Sequence, residues 1–355
     1  MNTYILVINP GSTSTKIAVF DKDEPLFEQT LRHTNEELAT LKNIDEQYRF
    51  RKEVLLDTLK EKQFDPAKLD MIISRGGLLK PIESGIYEVN NQMIEDLKNS
   101  TLQHASNLGA MMAKELAEEL NIQAYIADPV VVDELSEVAR YSGHPNFPRK
   151  SVFHALNQKA IARQYAKQNR CKYEELNLIV VHLGGGVSVG AHQAGRVIDV
   201  NQALDGEGPF SPERSGTLPV GDLIRAAFSG EYTKEELLKM VVGEGGMVAY
   251  CGSNDAYKVE LSAIGGNKDA AMAYKAMAYQ VAKEIGAMST VLKGNVDAIL
   301  ITGGLARSEY LVDMIKDSIK HLGKVAIFPG EDEMKALAMN ALLLKRKEIV
   351  TKEYN

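Results

Sequence analysis

The feature that most constrains the fold is a pattern that occurs twice, about half a chain apart. Residues 5–20 read ILVINPGSTSTKIAVF, and residues 178–192 read LIVVHLGGGVSVGAH. In both stretches an apolar run typical of a strand leads into a glycine turn, a hydroxyl residue follows, and apolar residues then alternate with polar or small ones. Two hairpins of one design predict a duplicated domain, with one hairpin in each half of the chain and a cleft between the halves.

Strand and helix patterns alternate along the rest of the chain, which is typical of an α/β protein with layered sheets. Short β-branched runs predict strands at 4–8, 16–20, 71–74, 124–127, 178–182, 187–192, 196–200, 298–302 and 324–328. Apolar residues recurring at three and four predict helices at 36–63, 91–120, 150–168, 270–292, 310–321 and 332–346. With 355 residues, the chain is expected to form two domains. We place them at 1–150 and 151–334, with the C-terminal helix at 335–355 packing back on the first.

Composition excludes several classes of protein. The net charge of −7 is spread along helical stretches, which argues against a nucleic-acid surface. The longest apolar runs are far too short to cross a membrane. Cys171 and Cys251 are widely separated, which argues against a disulfide framework and against a zinc site. The first ten residues contain neither a basic n-region nor a small-residue cleavage site, so a secretory signal is not expected and a cytoplasmic location is.

The glycine turns do not match the two best-known phosphate loops. No GxxxxGK[ST] string is present, and in residues 184–190, GGGVSVG, a strand pattern resumes where a dinucleotide fingerprint requires a helix. A hairpin can still bind an anion, because glycine lets the backbone N–H groups approach and converge on it. An ordinary hairpin with solvated polar residues is the alternative for either turn alone. The candidate donors are Ser12, Thr13, Ser14, Thr15 and Lys16 in the first turn, and the amides of Gly184, Gly185 and Gly186 with Ser188 in the second.

Two further segments carry candidate site residues. Residues 299–311, ILITGGLARSEYL, predict a strand, a glycine turn that could approach a base or a phosphate, and a helix capped by Ser308. Residues 201–221 are rich in glycine, proline and charge and contain Arg214. A loop of that length inside a compact domain is usually functional or disordered, and we favour function.

These residues carry a resemblance to a known family. The stretch NPGSTSTK resembles the N-x-G-S-S-S-x-K phosphate motif of acetate kinase and its relatives, in the superfamily of actin, Hsp70 and sugar kinases. HLGGGVS, VFHALNQKA and TGGLA resemble further motifs of that family along the whole chain. NPGSTSTK, SRGGLLKP, ADPVVVDE, DGEGPFSPERSG and FPGEDEMKAL are similar to its branch that acts on butanoate. The chain departs from acetate kinases at Pro10, Asn157 and Gln158.

The resemblance implies a fold, a reaction and its partners. The fold is a pair of duplicated ribonuclease-H-like domains, as in actin-like ATPases, with the active site in an interdomain cleft. The reaction is butanoate plus ATP giving butanoyl phosphate plus ADP, in either direction, with Mg²⁺. Neither a nucleic acid nor a membrane is expected as a partner. The chain is expected to form a homo-oligomer, either a dimer or a larger assembly. Kinases for acetate, propionate or 2-methylpropanoate, and a non-catalytic ATP-binding switch, are the alternatives.

The resemblance also assigns roles to single residues. Arg75 and Arg214 match arginines at the acyl site, His154 matches a histidine bound to the phosphoryl oxygens, and Asp128 matches an acidic residue near magnesium and the acceptor. For the second magnesium residue, Glu331 and Glu333 both stay candidates and we favour Glu333. The other expected nucleotide and phosphate contacts are Asn9, Ser12, Ser14, Lys16, His182, Gly184, Gly185, Gly186, Ser188, Asp255, Gly303 and Gly304.

The chemistry suits these residue types. A carboxylic acid with a pKa of about 4 to 5 is ionised at neutral pH, so a carboxylate acceptor requires no general base. Bringing it to an anionic phosphate requires neutralisation of charge and in-line positioning, which arginine forks provide. Asp128 is therefore expected to act through magnesium or water. Without the resemblance, His154 near a helix start would be taken as a structural residue. For His182, a structural hydrogen bond within the strand and a phosphate contact would be equally compatible with the sequence.

Overall fold

The chain forms two compact units. The computed structural model describes residues 2–11, 14–34, 36–37, 41, 44–100 and 105–355. Unit 1 comprises Met1–Val132 and Asp332–Asn355, and unit 2 comprises Asp133–Glu331. The compact units divide after Val132, whereas the sequence places the first domain boundary near residue 150. The assignment of acyl substrate and nucleotide to separate domains stays a prediction.

Unit 1 is built on a mixed sheet in the order β12-β5-β6-β4-β1-β2-β3. β1, β2 and β3 form an antiparallel meander, and β4 and β6 continue the sheet from β1 as parallel strands. β1 is buried at six of its seven residues, which explains its continuous apolar run. The strands are β1 (Tyr4–Pro10), β2 (Ser14–Asp21), β3 (Glu24–Arg32), β4 (Met71–Arg75), β5 (Ile86–Glu88), β6 (Gln123–Ala127) and β12 (Thr351–Lys352).

Unit 2 is built on a five-stranded sheet in the order β11-β10-β7-β8-β9. β7, β8 and β9 form an antiparallel meander, and β10 and β11 continue from β7 as parallel strands. The strands are β7 (Asn177–Leu183), β8 (Val187–Gln193), β9 (Arg196–Val200), β10 (Ala298–Gly303) and β11 (Val325–Pro329).

The two sheets repeat one plan. In unit 1 the order β3-β2-β1-β4-β6 has the same strand directions as β9-β8-β7-β10-β11 in unit 2. The two matching hairpins of the sequence are the first hairpin of each meander. The predicted α/β class with a duplicated domain is therefore confirmed.

Helices pack against both sheets, and their ends carry the expected capping residues. Asn267, Ser308 and Asp332 each accept a backbone N–H from the first turn of the helix they precede, which satisfies donors that the helix itself leaves unpaired. The helices are α1 (Ile44–Glu61), α2 (Asn91–Asn99), α3 (Asn107–Leu120), α4 (Ala155–Gln168), α5 (Val220–Ala227), α6 (Lys234–Val241), α7 (Met247–Cys251), α8 (Ala256–Ile264), α9 (Lys268–Val291), α10 (Glu309–Ile319) and α11 (Glu333–Lys345).

Each unit has its own apolar core. In unit 1, Leu6, Ile8 and Ile17 of the hairpin pack with residues of α1, α2 and α3. In unit 2, β7, β8 and β10 pack against α9, whose Tyr274 and Met277 are fully buried. Among the described helices, none combines the length and the apolar character needed to cross a bilayer.

Candidate active site

Three polar residues lie at one edge of the unit 1 sheet, where the parallel strands β1, β4 and β6 end. The strand register brings Asn9, Arg75 and Asp128 to successive positions along this edge. Open α/β sheets bind their ligands outside the carboxyl ends of the strands. The edge therefore has the location of a ligand site within unit 1.

Asn9 and Arg75 share a contact with Glu333, the first residue of α11. Nδ2 of Asn9 donates to Oε2 of Glu333 at 2.7 Å, and Nη1 of Arg75 lies 3.4 Å from the same oxygen. The side chains of Arg75 and Glu333 are 23% and 11% exposed. Residues from three distant parts of the sequence thus form one largely buried polar cluster.

Asp128 follows β6 directly and is almost fully buried. Its Oδ1 accepts from Oγ of Ser84 at 2.6 Å and from the backbone N–H of Gly85 at 2.9 Å. Its backbone has a φ of +39°, a conformation that Asp tolerates better than most residues. The carboxylate is therefore held in a defined orientation at the sheet edge.

The hairpin of unit 1 is fastened by an arginine that the sequence did not single out. Arg51 of α1 is 1% exposed, and its Nη1 donates to the carbonyls of Gly11 and Ser14 at 2.9 and 3.0 Å.

Among the residues predicted in this hairpin, Lys16 is exposed and lies across the hairpin from Asn9. The prediction for Ser12 falls outside the described residues. Ser14 begins β2 and is half-buried.

The hairpin of unit 2 gathers two histidines. His182 and Ser188 are direct partners across the strands β7 and β8. The ring of His154, at the N-cap of α4, stacks on His182 with centroids 3.7 Å apart and 9° between the planes. Nδ1 of His154 lies 2.9 Å from Oγ of Ser188, and Nδ1 of His182 lies 2.8 Å from Oδ1 of Asn157.

Glu331 and Glu333 have different partners. Oε1 of Glu331 lies 3.2 Å from Nε2 of His182 within unit 2, whereas Glu333 contacts Asn9 and Arg75 within unit 1. Among the residues that the structure describes, no three His, Cys, Asp or Glu side chains form a group that could hold a metal ion by themselves.

The loop at 201–219 brings Arg214 onto the second glycine turn. Nη1 of Arg214 donates to the carbonyl of Ala203 at 2.6 Å, and a Cβ at Gly186 would collide with this guanidinium. Oγ of Ser211 donates to the carbonyl of Gly185 at 2.6 Å. The loop is therefore ordered against residues 184–186, where the sequence predicts phosphate contacts.

The remaining predicted residues lie on turns of unit 2. Gly303 ends β10 with a φ of +94°, and Gly304 begins a short 3₁₀ turn. Asp255 caps α8 by accepting from the N–H of Lys258, and this hydrogen bond, followed by the Lys258 side chain, lowers its pKa. An open pocket of about 370 Å³ is lined by Ser253 and Lys258 among others. The predicted nucleoside contact of Asp255 stays a prediction.

The sequence did not reveal the buried residues that hydrogen-bond to the two hairpins or to the predicted site residues on them. These are Arg51, Gln158, His192 and Tyr173, which are buried and hydrogen-bonded toward the two hairpins. The position of Gln158, four residues after His154 on one helical face, is the signal that could have found it. Arg51 and Tyr173 lie in stretches whose local pattern gives no such signal.

Comparison with known proteins places this geometry in a family. The model of the acetokinase family matches residues 144–342, more than half of the chain. Butyrate kinase 2 of Clostridium acetobutylicum is 53% identical over 355 residues, which is the full length of both chains. The chain belongs to the acetokinase family. The first hairpin, with Asn9, precedes the residues that the family model matches. The alignment to butyrate kinase 2 spans the whole chain and therefore covers this hairpin.

Solved structures share the fold of this acetokinase family member. The acetate kinase of Porphyromonas gingivalis superimposes with a TM-score of 0.78 at 17% identity, covering 96% of this chain and all of the other. A propionate kinase of Francisella tularensis superimposes with a TM-score of 0.76 at 19% identity, covering 95% and 98%. At these identities the likeness shows the fold alone, and it agrees with the duplicated sheets described above.

Proposed function

We propose that this chain is a butyrate kinase, which transfers the terminal phosphoryl group of ATP to butanoate and also catalyses the reverse, ATP-forming reaction. The observation that carries the proposal is the 53% identity, over the whole of both chains, to a protein named butyrate kinase 2. The sheet edge with Asn9, Arg75 and Asp128 supplies polar groups suited to this chemistry.

The residues of unit 1 suit a carboxylate acceptor. Arg75 has a planar fork that can hold two oxygens of a carboxylate or a phosphoryl group, and it lies at a strand end where a ligand can approach. We assign Arg75 to both the acyl carboxylate and the transferred phosphoryl group, and Asn9 and Ser12 to the transferred phosphoryl group. Because the acceptor is already ionised, Asp128 is assigned to orienting magnesium or water and is not needed as a base.

Magnesium fits the acidic residues near this edge. Mg²⁺ is usually bound by one or two carboxylates together with substrate phosphates, so a group of three protein ligands is not required. Within the described residues, both hydrogen bonds of Glu333 go to Oε2, which leaves Oε1 able to face a cation. When bound, the ion would neutralise charge on the phosphates of ATP. We assign Glu333 and Asp128 to this ion.

The residues of unit 2 suit the phosphates of ATP. Residues 184–186 form a glycine turn of the kind that binds anions. The N–H of Gly184 was a predicted phosphate donor, but it donates to the carbonyl of Gly186 at 3.0 Å within the turn, so the amides of Gly185 and Gly186 are the proposed donors. The guanidinium of Arg214 lies directly on this turn. We assign the phosphate chain to the turn with His182, the phosphoryl oxygens to His154 and Arg214, and the nucleoside to Gly303, Gly304 and Asp255. Ser188 was predicted as a phosphate contact, but it is fully buried and its hydroxyl is hydrogen-bonded to Gln158 and His154, so we propose that it acts on the phosphates only through His154.

A hydroxamate assay tests the proposed function. The purified protein is incubated with ATP, Mg²⁺, hydroxylamine and one acid at a time from two to six carbons, including 2-methylpropanoate. Hydroxylamine traps the acyl phosphate, and ADP formation is measured in parallel. We expect acyl hydroxamate with the highest kcat/KM for butanoate, and none without ATP.

The outcomes of that assay separate the alternatives. If none of the acids gives a hydroxamate, the protein is not an acid kinase, and an ATP-binding switch remains as the alternative. A maximum at acetate, propionate or 2-methylpropanoate would keep the reaction and replace the substrate.

Removing the Glu333 carboxylate is expected to distinguish the two candidate magnesium residues. We expect Glu333→Gln to lower kcat by about 100-fold or more, because it contacts Asn9 and Arg75 and is assigned to the metal. We expect Glu331→Gln, whose partner is His182, to stay within about tenfold of wild type. The assay is kcat measured against Mg²⁺ concentration. A larger loss for Glu331→Gln would reverse the assignment.

A further inference from the structure

A buried chain of hydrogen bonds crosses unit 2 and ends on His154. Oη of Tyr173 lies 2.7 Å from Nδ1 of His192, and Nε2 of His192 lies 2.9 Å from Oε1 of Gln158. Nε2 of Gln158 lies 2.8 Å from Oγ of Ser188, which lies 2.9 Å from Nδ1 of His154. Apart from His154, these side chains belong to residues that are at most 5% exposed. The chain therefore runs through the protein interior.

The orientation of the Gln158 amide determines which group donates in each hydrogen bond of this chain. Its Nε2 also donates to the backbone carbonyl of Ser188 at 3.2 Å, so the nitrogen faces Ser188 and the oxygen faces His192. An amide oxygen only accepts, so Nε2 of His192 carries a proton and donates to it. Nδ1 of the neutral ring then accepts from the hydroxyl of Tyr173.

Two further observations support this direction. Burial, and after it the charges of Lys159 and Arg163, lower the pKa of His192 well below its ordinary value, so the ring is neutral and has one donor and one acceptor. A Cβ at Gly190 would lie 2.5 Å from Oε1 of Gln158. Only glycine at this position of β8 leaves room for the bond between Gln158 and His192.

The last link determines which nitrogen of His154 carries the proton. Oγ of Ser188 accepts from Gln158, and its residue is fully buried. Within the described part of the chain, the only other polar atom in hydrogen-bond contact with this oxygen is Nδ1 of His154. The hydroxyl proton of Ser188 therefore goes to Nδ1, and a neutral His154 carries its own proton on Nε2.

We propose that Tyr173, His192 and Gln158 are positioning residues that hold His154, through Ser188, in the tautomer protonated on Nε2. His182 stacks on the ring and defines its plane, so the direction of the Nε2–H donor is set as well. The consequence for catalysis rests on the proposed function: Nε2–H donates to an oxygen of the transferred phosphoryl group. The tautomer itself does not depend on that function.

The experiment reads the tautomer directly by NMR. The full-length protein is labelled with ¹⁵N-histidine, and correlations of the ring nitrogens are recorded at one mildly alkaline pH. We expect a single His154 tautomer with the proton on Nε2. In Gln158→Glu the new carboxylate accepts from Ser188, so Oγ of Ser188 must accept from His154, and we expect the proton on Nδ1. Gln158→Met removes the constraint and is expected to give a mixture.

A matched control and a kinetic readout complete the test. Gln280→Glu makes the same change elsewhere in unit 2 and keeps the acceptor for the N–H of Phe210, so neither tautomer nor rate is expected to change. For Gln158→Glu we expect kcat to fall by about 100-fold while KM for ATP changes little, because a donor to the transition state is lost.

Three outcomes would overturn the proposal. They are a wild-type His154 protonated on Nδ1, a wild-type mixture, and an unchanged tautomer in both Gln158 variants. A reversed tautomer with wild-type kcat would refute its catalytic consequence alone. If no acid is phosphorylated by the wild-type protein, the proposed function fails, and the NMR result still decides the tautomer.

Discussion

Arg75→Ala is expected to lower kcat for butanoate by about 1,000-fold while leaving ADP binding largely intact. Guanidinium groups that stabilise a transferring phosphoryl group contribute about 10³ to 10⁵ in kcat, and Arg75 is the cation at the carboxyl edge of β4. Arg75→Lys keeps the charge but loses the planar fork, so an intermediate kcat is expected. Steady-state hydroxamate kinetics give kcat, and calorimetry gives the affinity for ADP.

A second arginine in the same unit controls for the loss of a surface cation. Arg346 is half-exposed and lies 3.9 Å from Glu348, so Arg346→Ala is expected to behave as wild type. In unit 2, Arg214→Ala is compared with Arg225→Ala in the same way, because Arg225 is exposed and pairs only with Asp222 among the described residues. Wild-type turnover in both Arg75→Ala and Arg214→Ala would show that the roles assigned to these two arginines are wrong.

Lys159→Met is expected to destabilise the protein by about 3–5 kcal/mol, the range found when one partner of a buried ion pair is removed. Nζ of Lys159 lies 2.6 Å from Oε2 of Glu134 and 2.9 Å from the carbonyl of Gly195. The two side chains are 1% and 5% exposed. The variant leaves the Glu134 carboxylate buried without its cation. Urea unfolding followed by circular dichroism measures the loss, since the chain has no tryptophan.

Two comparisons distinguish this effect from a simple change in packing. The double variant Lys159→Met with Glu134→Leu removes both charges and is expected to recover most of the stability. Lys320 pairs with Asp317 at 2.7 Å, but both side chains are exposed, so Lys320→Met is expected to leave the midpoint nearly unchanged. Equal midpoint shifts for Lys159→Met and Lys320→Met would contradict the argument from burial.

The strands at the centre of each sheet were predictable because their patterns are local. Every predicted strand is present, since continuous apolar runs such as 178–181 are buried on both faces. β3 was missed because it lies at the sheet edge and is mostly exposed. β5 and β12 were missed because runs of two or three residues carry little pattern.

The helices show the limits of periodicity. The stretch predicted as one helix at 91–120 forms α2 and α3, because Ser100 leaves the helix with a ψ of 129°. α5 and α6 were missed between 220 and 241 because each is only eight residues long, which leaves about two turns for a period to show. The prediction at 36–43 includes residues outside those described.

The sequence by itself determined the turns, the two matching hairpins and the types of residue that surround them. The glycines at 184–186 and the polar residues at strand ends are recognised from the few residues next to them, so a short stretch of sequence is enough to predict these turns. Only the tertiary structure decided which partners they have. Glu333 contacts Asn9 across 324 positions of sequence, and Tyr173 reaches His154 through residues of a strand and a helix. Such contacts depend on how the sheets and helices pack, which no local pattern specifies.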